Sequence, residues 1–336
     1  MKKTIILLSI LLSVFHLSAK DYKAGEIQSK QSFHYGRFET RFYASDVSGV
    51  LSTMFLFEND GWKDTDIWQE IDIEVFGKDP ENIWQSNLIY EKNADGPTLH
   101  AEQTHTYANN SSVAEWHTYT IDWTPYYIEW FVDGQSIRKE TDLEILEILG
   151  KKPMLLMFNC WAHVDPGWVG NLDVNNTPAY QFVEYVKVYD WVEGTSFEIT
   201  PSFEDDFDNG LSNWNKSNHT FEGNYADFVS ANVGTKNGAL VLAFSNNNNT
   251  GIDAAVIPND PLTSLNDGTT LETGLDLYPN PANNFIHLTD KVEWSLYTAN
   301  GVFVTSGSSN TIDISKLSTG LYFLHTEKKQ FKFEKQ

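Results

Sequence analysis

The 336-residue sequence predicts an all-β protein, and three observations support this prediction. Apolar and polar residues alternate with the period of a half-buried strand, as in Phe182 to Tyr189. The pair Asp133-Gly134 separates two further alternating runs, which is the sequence signature of a tight β-hairpin. The only helix-like stretch, Leu143 to Leu149, is too short to organise a fold. Many short strands divided by turn residues are typical of a β-sandwich or barrel.

The composition excludes several classes of protein. With 11 Trp, 15 Tyr and 21 Phe residues, the chain has the apolar side chains that a core requires and that disordered proteins lack. Its 23 basic and 46 acidic residues give a net charge of -23, so nucleic acid is not an expected partner. The single cysteine, Cys160, excludes an internal disulfide and a cysteine-rich zinc site. We expect it to be a buried structural thiol.

Residues 1–19 are predicted to form a secretory signal peptide. A basic start at Lys2 and Lys3 precedes an almost unbroken apolar run over 4–17, which ends at small residues. The alternative is a transmembrane anchor, but the run is shorter than the roughly 20 residues that a helical span needs. We therefore expect an exported protein whose mature chain starts near Lys20.

The rest of the chain is predicted to contain a series of short strands, a linker and a second series of short strands. The first predicted strands are Gly36 to Tyr43, Val50 to Phe57, Met154 to Asn159 and Phe182 to Tyr189. Those after Phe203 are Thr220 to Asn224, Asp227 to Val233 and Ala239 to Phe244. Residues 258–274 are rich in Pro, Asn, Asp, Thr and Gly, and are predicted to be an exposed linker. Residues 275–336 return to alternating strands and are predicted to form a separate small β domain.

The segment that indicates chemistry is Trp-Gln-Glu-Ile-Asp-Ile-Glu-Val-Phe at 68–76. In a strand, its apolar residues share one face, which suits a core. The other face presents three carboxylates, Glu70, Asp72 and Glu74, between Trp68 and Phe76. The alternative is an ordinary strand with a solvated acidic face. The two aromatic residues favour a sugar site, because sugar rings present apolar faces that lie against aromatic rings.

Two carboxyl groups, one ionised and one protonated, are the usual means of hydrolysing a glycosidic bond. Crowding and partial burial separate the pKa values of such neighbours. The Cα atoms of Glu70 and Glu74 would lie about 13 Å apart in a straight strand. A retaining mechanism needs carboxyl groups about 5–5.5 Å apart, which two long side chains on a concave sheet could reach.

The run Glu-Ile-Asp-Ile-Glu at 70–74 resembles the active-site strand of glycoside hydrolase family sixteen. These enzymes are β-jelly rolls with a concave sugar-binding face. Without an additional residue before Glu74, the motif looks like the lichenase branch rather than the laminarinase or agarase branches. The resemblance extends to circularly permuted bacterial 1,3-1,4-β-glucanases through segments 35–39, 54–57, 85–87, 123–125, 132–135, 168–170 and 186–189. It implies one permuted jelly-roll domain over 20–257, in which the segment like Phe203 to Phe244 follows the catalytic part.

The resemblance also implies roles for individual residues. Glu70 would be the nucleophile, Asp72 its helper and Glu74 the general acid and base. Further residues would bind glucosyl units in the cleft: Phe55, Phe57, Asn59, Gln85, Asn87, Asn159, Trp161, Trp168, Phe221 and Asn224. For each aromatic residue the alternative is core packing, and for Gln85 and Asn87 it is a solvent-exposed strand face. His219 stands where the permuted enzymes have a Trp that stacks on substrate, which leaves the linkage preference open.

No cofactor is expected for this chemistry. The resemblance also implies a structural calcium ion, with no ligands assigned. Asp205, Asp206 and Asp208 are candidates for such ligands. However, their segment lacks the Gly and terminal Glu of an EF-hand loop, so we expect an exposed turn.

Three motifs near the C-terminus, Tyr-Pro-Asn-Pro at 278–281, Ile-Asp-Ile-Ser at 312–315 and Gly-Leu-Tyr-Phe-Leu at 320–324, resemble the type A sorting domain of type IX secretion. This implies the secretion machinery as a partner and a secreted or outer-membrane surface location. The alternative is a carbohydrate-binding β-sandwich.

The sequence therefore predicts a secreted, monomeric, endo-acting retaining glycoside hydrolase that cleaves mixed-linkage 1,3-1,4-β-glucan. Two alternatives stay open. One is the same mechanism acting on 1,3-β-glucan, and the other is a non-catalytic glucan-binding surface protein. The second has no evident use for three crowded carboxylates.

Overall fold

A computed structural model describes residues 19–58, 67–78, 82–93, 96–108, 111–193, 196–198, 200–246, 251–258, 277–298, 303–326 and 330–336. Asn59, most of the predicted signal peptide and most of the predicted linker lie outside these residues. Within them, no helix is both long enough and apolar enough to cross a membrane.

Most of the regular secondary structure described between Tyr22 and Asn246 consists of β-strands. In order, they are β1 Tyr22–Phe33, β2 Gly36–Tyr43, β3 Val50–Phe57, β4 Gln69–Phe76, β5 Ile83–Tyr90, β6 Leu99–His100, β7 Gln103–Thr106, β8 Trp116–Trp123, β9 Ile128–Val132, β10 Gln135–Glu140, β11 Met154–Ala162, β12 Ala179–Tyr189, β13 Trp191–Val192, β14 Ser196–Phe197, β15 Phe203–Asp205, β16 Trp214–Lys216, β17 Ala226–Phe228, β18 Val233–Lys236 and β19 Ala239–Asn246. Two short helices, α1 (Leu143–Leu149) and α2 (Pro166–Val169), flank β11.

These strands form the two layers of a β-sandwich. One layer has the order β7-β5-β4-β3-β11-β1, and β16 and β17 pair with β1. The other has the order β10-β9-β8-β2-β12-β19-β18, and β15 also pairs with β12. Buried apolar side chains from both layers pack into one core, which includes the fully buried Trp84, Trp123 and Trp130. Segments on either side of residue 200 thus contribute to the same two layers.

The C-terminal residues form a second sheet with its own core. Its strands are β20 Leu277–Tyr278, β21 Phe285–Thr298, β22 Phe303–Asp313, β23 Gly320–Thr326 and β24 Gln330–Lys335. β21 pairs with β20, β22 and β23, and β24 pairs with β23. Ile286, Leu296, Leu324 and Phe333 are among its buried residues.

Most of the predicted elements are confirmed, but the predicted strand Thr220 to Asn224 is absent, and the predicted strand Asp227 to Val233 is interrupted by a short 3-10 helix at Ser230–Asn232. The predicted hairpin is present between β9 and β10, where Asp133 and Gly134 have φ angles of 50° and 76°. The predicted helix is α1, whose first turn is capped by the Asp142 carboxylate. The predicted strand Thr220 to Asn224 is instead a loop. Its end is a turn in which the Asn224 side chain accepts a hydrogen bond from the Ala226 amide, and this local bond competes with a strand ladder.

Candidate active site

The central strand β4 separates its apolar residues from its acidic ones. Ile71, Ile73 and Val75 are completely buried in the core between the layers. Glu70, Asp72 and Glu74 therefore point to the opposite face of the sheet, away from this core, because alternate residues of a strand lie on opposite sides. Trp130 of the other layer donates from its indole Nε1 to the Asp72 carbonyl at 3.0 Å.

Glu70 lies at the start of this acidic row and is half-buried. The Trp68 indole Nε1 donates a hydrogen bond to Glu70 Oε2 at 2.6 Å. Burial raises the pKa of Glu70 to about 7, although the bond from Trp68 opposes the rise by favouring the ionised form. The Trp68 contact therefore supports a carboxylate at this position.

Glu74 is more deeply buried, with 8% of its surface exposed. Gln85 of β5 donates from Nε2 to Glu74 Oε2 at 2.8 Å. Burial, and next the negative charge of Glu70, raise the pKa of Glu74 to about 8. Of these two glutamates, Glu74 is thus the one that keeps its proton to higher pH.

Asp72 lies between them and is 3% exposed. Burial raises the pKa of Asp72 well above its usual range, and the charges of Glu70 and Glu74 add to the effect. Its carboxyl group hydrogen-bonds to Glu70, an arrangement in which a protonated Asp72 donates to an ionised Glu70. No described residue is hydrogen-bonded to Asp72 Oδ2. The row therefore combines one carboxylate stabilised by donors with neighbours that hold protons, which is what acid-assisted nucleophilic attack on a glycosidic bond needs.

Several predicted substrate-binding residues lie directly beside this row. In the strand register, Phe55 and Asn87 flank Asp72. Phe57 is opposite Glu70, and its ring centre is 5.2 Å from that of Trp68. Gln85 is opposite Glu74. The structure thus brings these side chains to the face that holds the three carboxyl groups.

The remaining predicted residues extend the face across β11. Asn159 lies opposite Thr53 of β3. Trp161 is 6.3 Å from Trp168 and 5.2 Å from Phe221 between ring centres, so the three rings form one cluster. Trp161 is 8% exposed and Asn224 is 1% exposed. Trp161 Nε1 and Asn224 Nδ2 have no hydrogen-bond partner in the described part of the chain, whereas buried polar groups usually have one.

The family follows from comparison with known proteins. The profile of "Glycosyl hydrolases family 16" matches residues 8–185, which is more than half of the chain. The protein belongs to glycoside hydrolase family 16. A second profile, "Secretion system C-terminal sorting domain", matches residues 276–336. The C-terminal β domain is therefore a secretion sorting domain, and the family resemblance of both parts is confirmed.

Several named relatives of this family 16 protein are β-glucanases. That of Fibrobacter succinogenes is 36% identical over 235 residues, covering 68% of this chain and 66% of the relative. That of Brevibacillus brevis is 33% identical over 182 residues, covering 54% of this chain and 63% of the relative. The solved structure of Bacillus licheniformis β-glucanase is 28% identical, covers 50% of this chain and 71% of that one, and has a TM-score of 0.41. The chain thus spans slightly less than two thirds of the length of these two curated relatives.

Two residues that contact predicted sugar-binding side chains of this family 16 domain were not predicted from the sequence. Glu26 of β1 is 3% exposed and accepts a hydrogen bond from Asn159 Nδ2 at 3.0 Å. His163 lies 4.9 Å from Trp168 between ring centres. A single acidic residue in an alternating strand and a lone histidine in a loop have no distinctive spacing. Only the register of β1 against β11 places Glu26 beside a predicted sugar-binding residue.

The structure neither supports nor tests the expectation of calcium. The Asp205 carboxylate accepts hydrogen bonds from the Phe207 amide, Asn213 Nδ2 and Trp214 Nε1. No group of three His, Cys, Asp or Glu residues within the described ranges is arranged to hold a metal ion. Cys160 is buried, and burial raises the pKa of its thiol to about 12, consistent with a structural role.

Proposed function

We propose that this family 16 protein is a secreted, endo-acting, retaining β-glucanase that hydrolyses mixed-linkage 1,3-1,4-β-glucan. The observation that supports the chemistry is the row of three carboxyl groups on one strand, with separate hydrogen-bond partners for Glu70 and Glu74. The names of the β-glucanase relatives support the substrate class. The sorting domain supports export, and the predicted signal peptide is consistent with it.

In the proposed mechanism, Glu70 attacks the anomeric carbon while Glu74 donates its proton to the glycosidic oxygen. The bond to the leaving sugar breaks, and an ester forms between the glucosyl unit and Glu70. Glu74, now ionised, takes a proton from a water molecule, which attacks the same carbon and releases Glu70. Asp72 holds Glu70 through its hydrogen bond and keeps its own proton throughout.

The cleft around this strand suits a neutral, linear sugar polymer. Aromatic rings such as Phe57 and Trp161 can stack on pyranose faces, and amides such as Gln85 and Asn87 can exchange hydrogen bonds with hydroxyl groups. The net charge of -23 presents no obstacle to an uncharged substrate.

The test is reducing-sugar release by the purified mature protein from barley β-glucan, laminarin and carboxymethylcellulose, with Glu70→Gln as the control. We expect release from barley β-glucan only, and none from the Glu70→Gln variant. Faster release from laminarin would keep the mechanism and change the substrate to 1,3-β-glucan. Tight binding of barley β-glucan without release by a folded protein would favour the non-catalytic binding protein.

A further inference from the structure

Lys20 lies two residues before β1, and its side chain reaches a turn that is 201 residues away in the sequence. The Lys20 ammonium donates to the Phe221 carbonyl at 2.7 Å and also to the Asn224 carbonyl. These two residues begin and end a turn that is closed by the bond from the Asn224 amide to the Phe221 carbonyl at 3.2 Å. One cation therefore holds both ends of this segment, which we call the 221–224 turn.

The 221–224 turn carries two of the predicted substrate-binding side chains. Phe221 is 43% exposed, and its ring centre lies 5.2 Å from that of Trp161. Asn224 is buried, and its Nδ2 has no hydrogen-bond partner in the part of the chain that the structure describes. An exposed ring has few contacts of its own to hold it, so its direction depends on the backbone that carries it. The position of the turn therefore decides where the Phe221 ring lies in the cleft.

The two ends of the 221–224 turn are attached to the rest of the domain differently. At the end of Asn224, two backbone hydrogen bonds of 2.7 and 3.0 Å join residues 223–225 to residues 162–164, at the end of β11. Among the described residues, the hydrogen bond that reaches the backbone of Phe221 from outside the turn is the one from Lys20. Loss of Lys20 should thus release the half of the turn that presents the Phe221 ring.

We propose that Lys20 is a positioning residue for glucan binding, whose ammonium holds the 221–224 turn so that the Phe221 ring faces the substrate. Lys20 acts through backbone carbonyls of the turn and needs no contact with the sugar. Hydrogen bonds from a charged donor are stronger than those between neutral groups, so a single lysine can order a short turn. The proposal rests on the proposed function, because it explains how a part of the same cleft is held in place.

Asp227 of β17 anchors the backbone from which the Lys20 side chain extends. Its Oδ2 accepts hydrogen bonds from the Lys20 backbone nitrogen at 3.0 Å and from the Lys23 ammonium at 2.7 Å. β1 and β17 run parallel here, with Lys23 opposite Asp227 in the register. The predicted mature chain starts near Lys20, where chain ends are poorly ordered unless they are tied down. Because Asp227 ties this end down, the Lys20 ammonium has a fixed base from which to order the turn.

The test is steady-state kinetics of the purified mature protein and its Lys20→Met variant on barley β-glucan and laminarin. On the polymer that wild type hydrolyses, we expect Lys20→Met to raise KM about threefold to tenfold with kcat nearly unchanged, because a displaced turn weakens binding of substrate and transition state alike. Lys20→Arg should restore most of the affinity, since a guanidinium can also donate to two carbonyls. Lys30→Met is the matched control. Lys30 is also on β1 and its ammonium donates to the Ser212 carbonyl at 2.7 Å, so this variant loses the same charge and should leave KM unchanged.

Phe221→Ala shows whether Lys20 acts through the turn. In this background Lys20→Met should raise KM by a smaller factor than in wild type, because the ring that Lys20 positions is already absent. The same factor in both backgrounds would overturn the proposal. So would a Lys20→Met variant with a lower Tm or kcat and the KM of wild type, because Lys20 would then stabilise the fold alone. Either result with normal hydrolysis by wild type leaves the proposed function intact, whereas no hydrolysis of either polymer by folded wild type overturns the proposed function and the role of Lys20 with it.

Discussion

Buried acidic residues occur in both layers of the sandwich, but their surroundings differ. Asp122 of β8 is 2% exposed and accepts hydrogen bonds from Arg37 Nε at 2.7 Å and from Arg37 Nη2 at 2.8 Å. Burial raises the pKa of Asp122, and the arginine opposes that rise. On β4, three carboxyl groups lie side by side, and no ion pair to a described cation compensates them.

This difference separates a structural acid from acids held for a reaction. A buried carboxylate that accepts two hydrogen bonds from one arginine stays ionised, and the pair holds its two strands in a defined geometry. Carboxyl groups without such a cation have raised pKa values and exchange protons near neutral pH, which is typical of functional sites. The same surroundings cost stability, because neutral side chains could be buried there more easily.

The largest expected effect is on catalysis, through Glu74→Gln. Loss of the general acid and base should lower kcat on barley β-glucan about 10²–10⁴-fold. The Tm should not fall, because a neutral amide replaces a buried group that has no cationic partner among the described residues. Steady-state kinetics and thermal unfolding of the same preparation check both expectations. Glu144→Gln, at an exposed ion pair with Lys92, is the matched control. A normal kcat for Glu74→Gln would contradict the assignment.

The next effect concerns stability alone, through Arg37→Met. This change leaves Asp122 buried without its partner and should lower the free energy of unfolding by about 3 kcal/mol. The activity of the folded fraction should stay unchanged, because the pair lies in the other layer. Denaturant unfolding and activity per folded molecule are the measurements. Arg37→Lys keeps the charge and should lower the free energy of unfolding by less. An equal decrease in both variants would show that packing of Arg37 on Phe131 and Phe197, rather than its charge, stabilises this region.

A third effect is the pH dependence of stability. The folded-state pKa values of Glu70 and Glu74 are about 7 and about 8, above the value of about 4.3 for an unfolded glutamate. The folded state therefore binds these protons more tightly than the unfolded state. The contribution of the two glutamates to the free energy of unfolding is fully present below about pH 4.3, and it is lost as pH rises to 7–8. Glu70→Gln/Glu74→Gln should remove this decrease. The Tm of the double variant at pH 8 should exceed that of wild type by at least about 2–4 °C, the shift expected for about 1 kcal/mol, whereas the two Tm values should agree at pH 4.5. A Tm difference that is the same at both pH values would contradict the comparison between the layers.

The sequence was sufficient for much of the fold because its signals are local. Alternation over Phe182 to Tyr189 predicted a strand that is part of β12, and the Asp133-Gly134 pair predicted the hairpin of β9 and β10. The acidic row was visible for the same reason, since Glu70, Asp72 and Glu74 alternate along one strand. The loop at Thr220 to Asn224 was predicted wrongly because its turn depends on the Asn224 side chain rather than on alternation.

The rest of the site depends on register between strands that are distant in sequence. Glu26 and Asn159 are 133 residues apart, and only the pairing of β1 with β11 brings them together. The same holds for His219 and Glu26. Non-local pairings of this kind leave no periodic pattern, so the sequence predicted the catalytic strand more completely than the face around it.

The smallest expected effect concerns Trp68, whose indole N–H donates to the proposed nucleophile Glu70 where Asp122 has an arginine. Among the described residues no arginine pairs with Glu70, but Trp68 Nε1 donates to its Oε2 at 2.6 Å, and this bond lowers the pKa of Glu70 against the effect of burial. Trp68→Phe removes the donor and keeps an aromatic ring beside Phe57. The pKa of Glu70 should rise, so the acidic limb of the kcat/KM profile should move to higher pH. Activity below that limb should fall about tenfold, the equivalent of one hydrogen bond to a charged group. Above the limb, where Glu70 is ionised in both proteins, the rates should converge. A uniform loss at every pH would instead indicate that Trp68 acts by stacking on the sugar, and its indole would then not be the counterpart of Arg37 in the other layer.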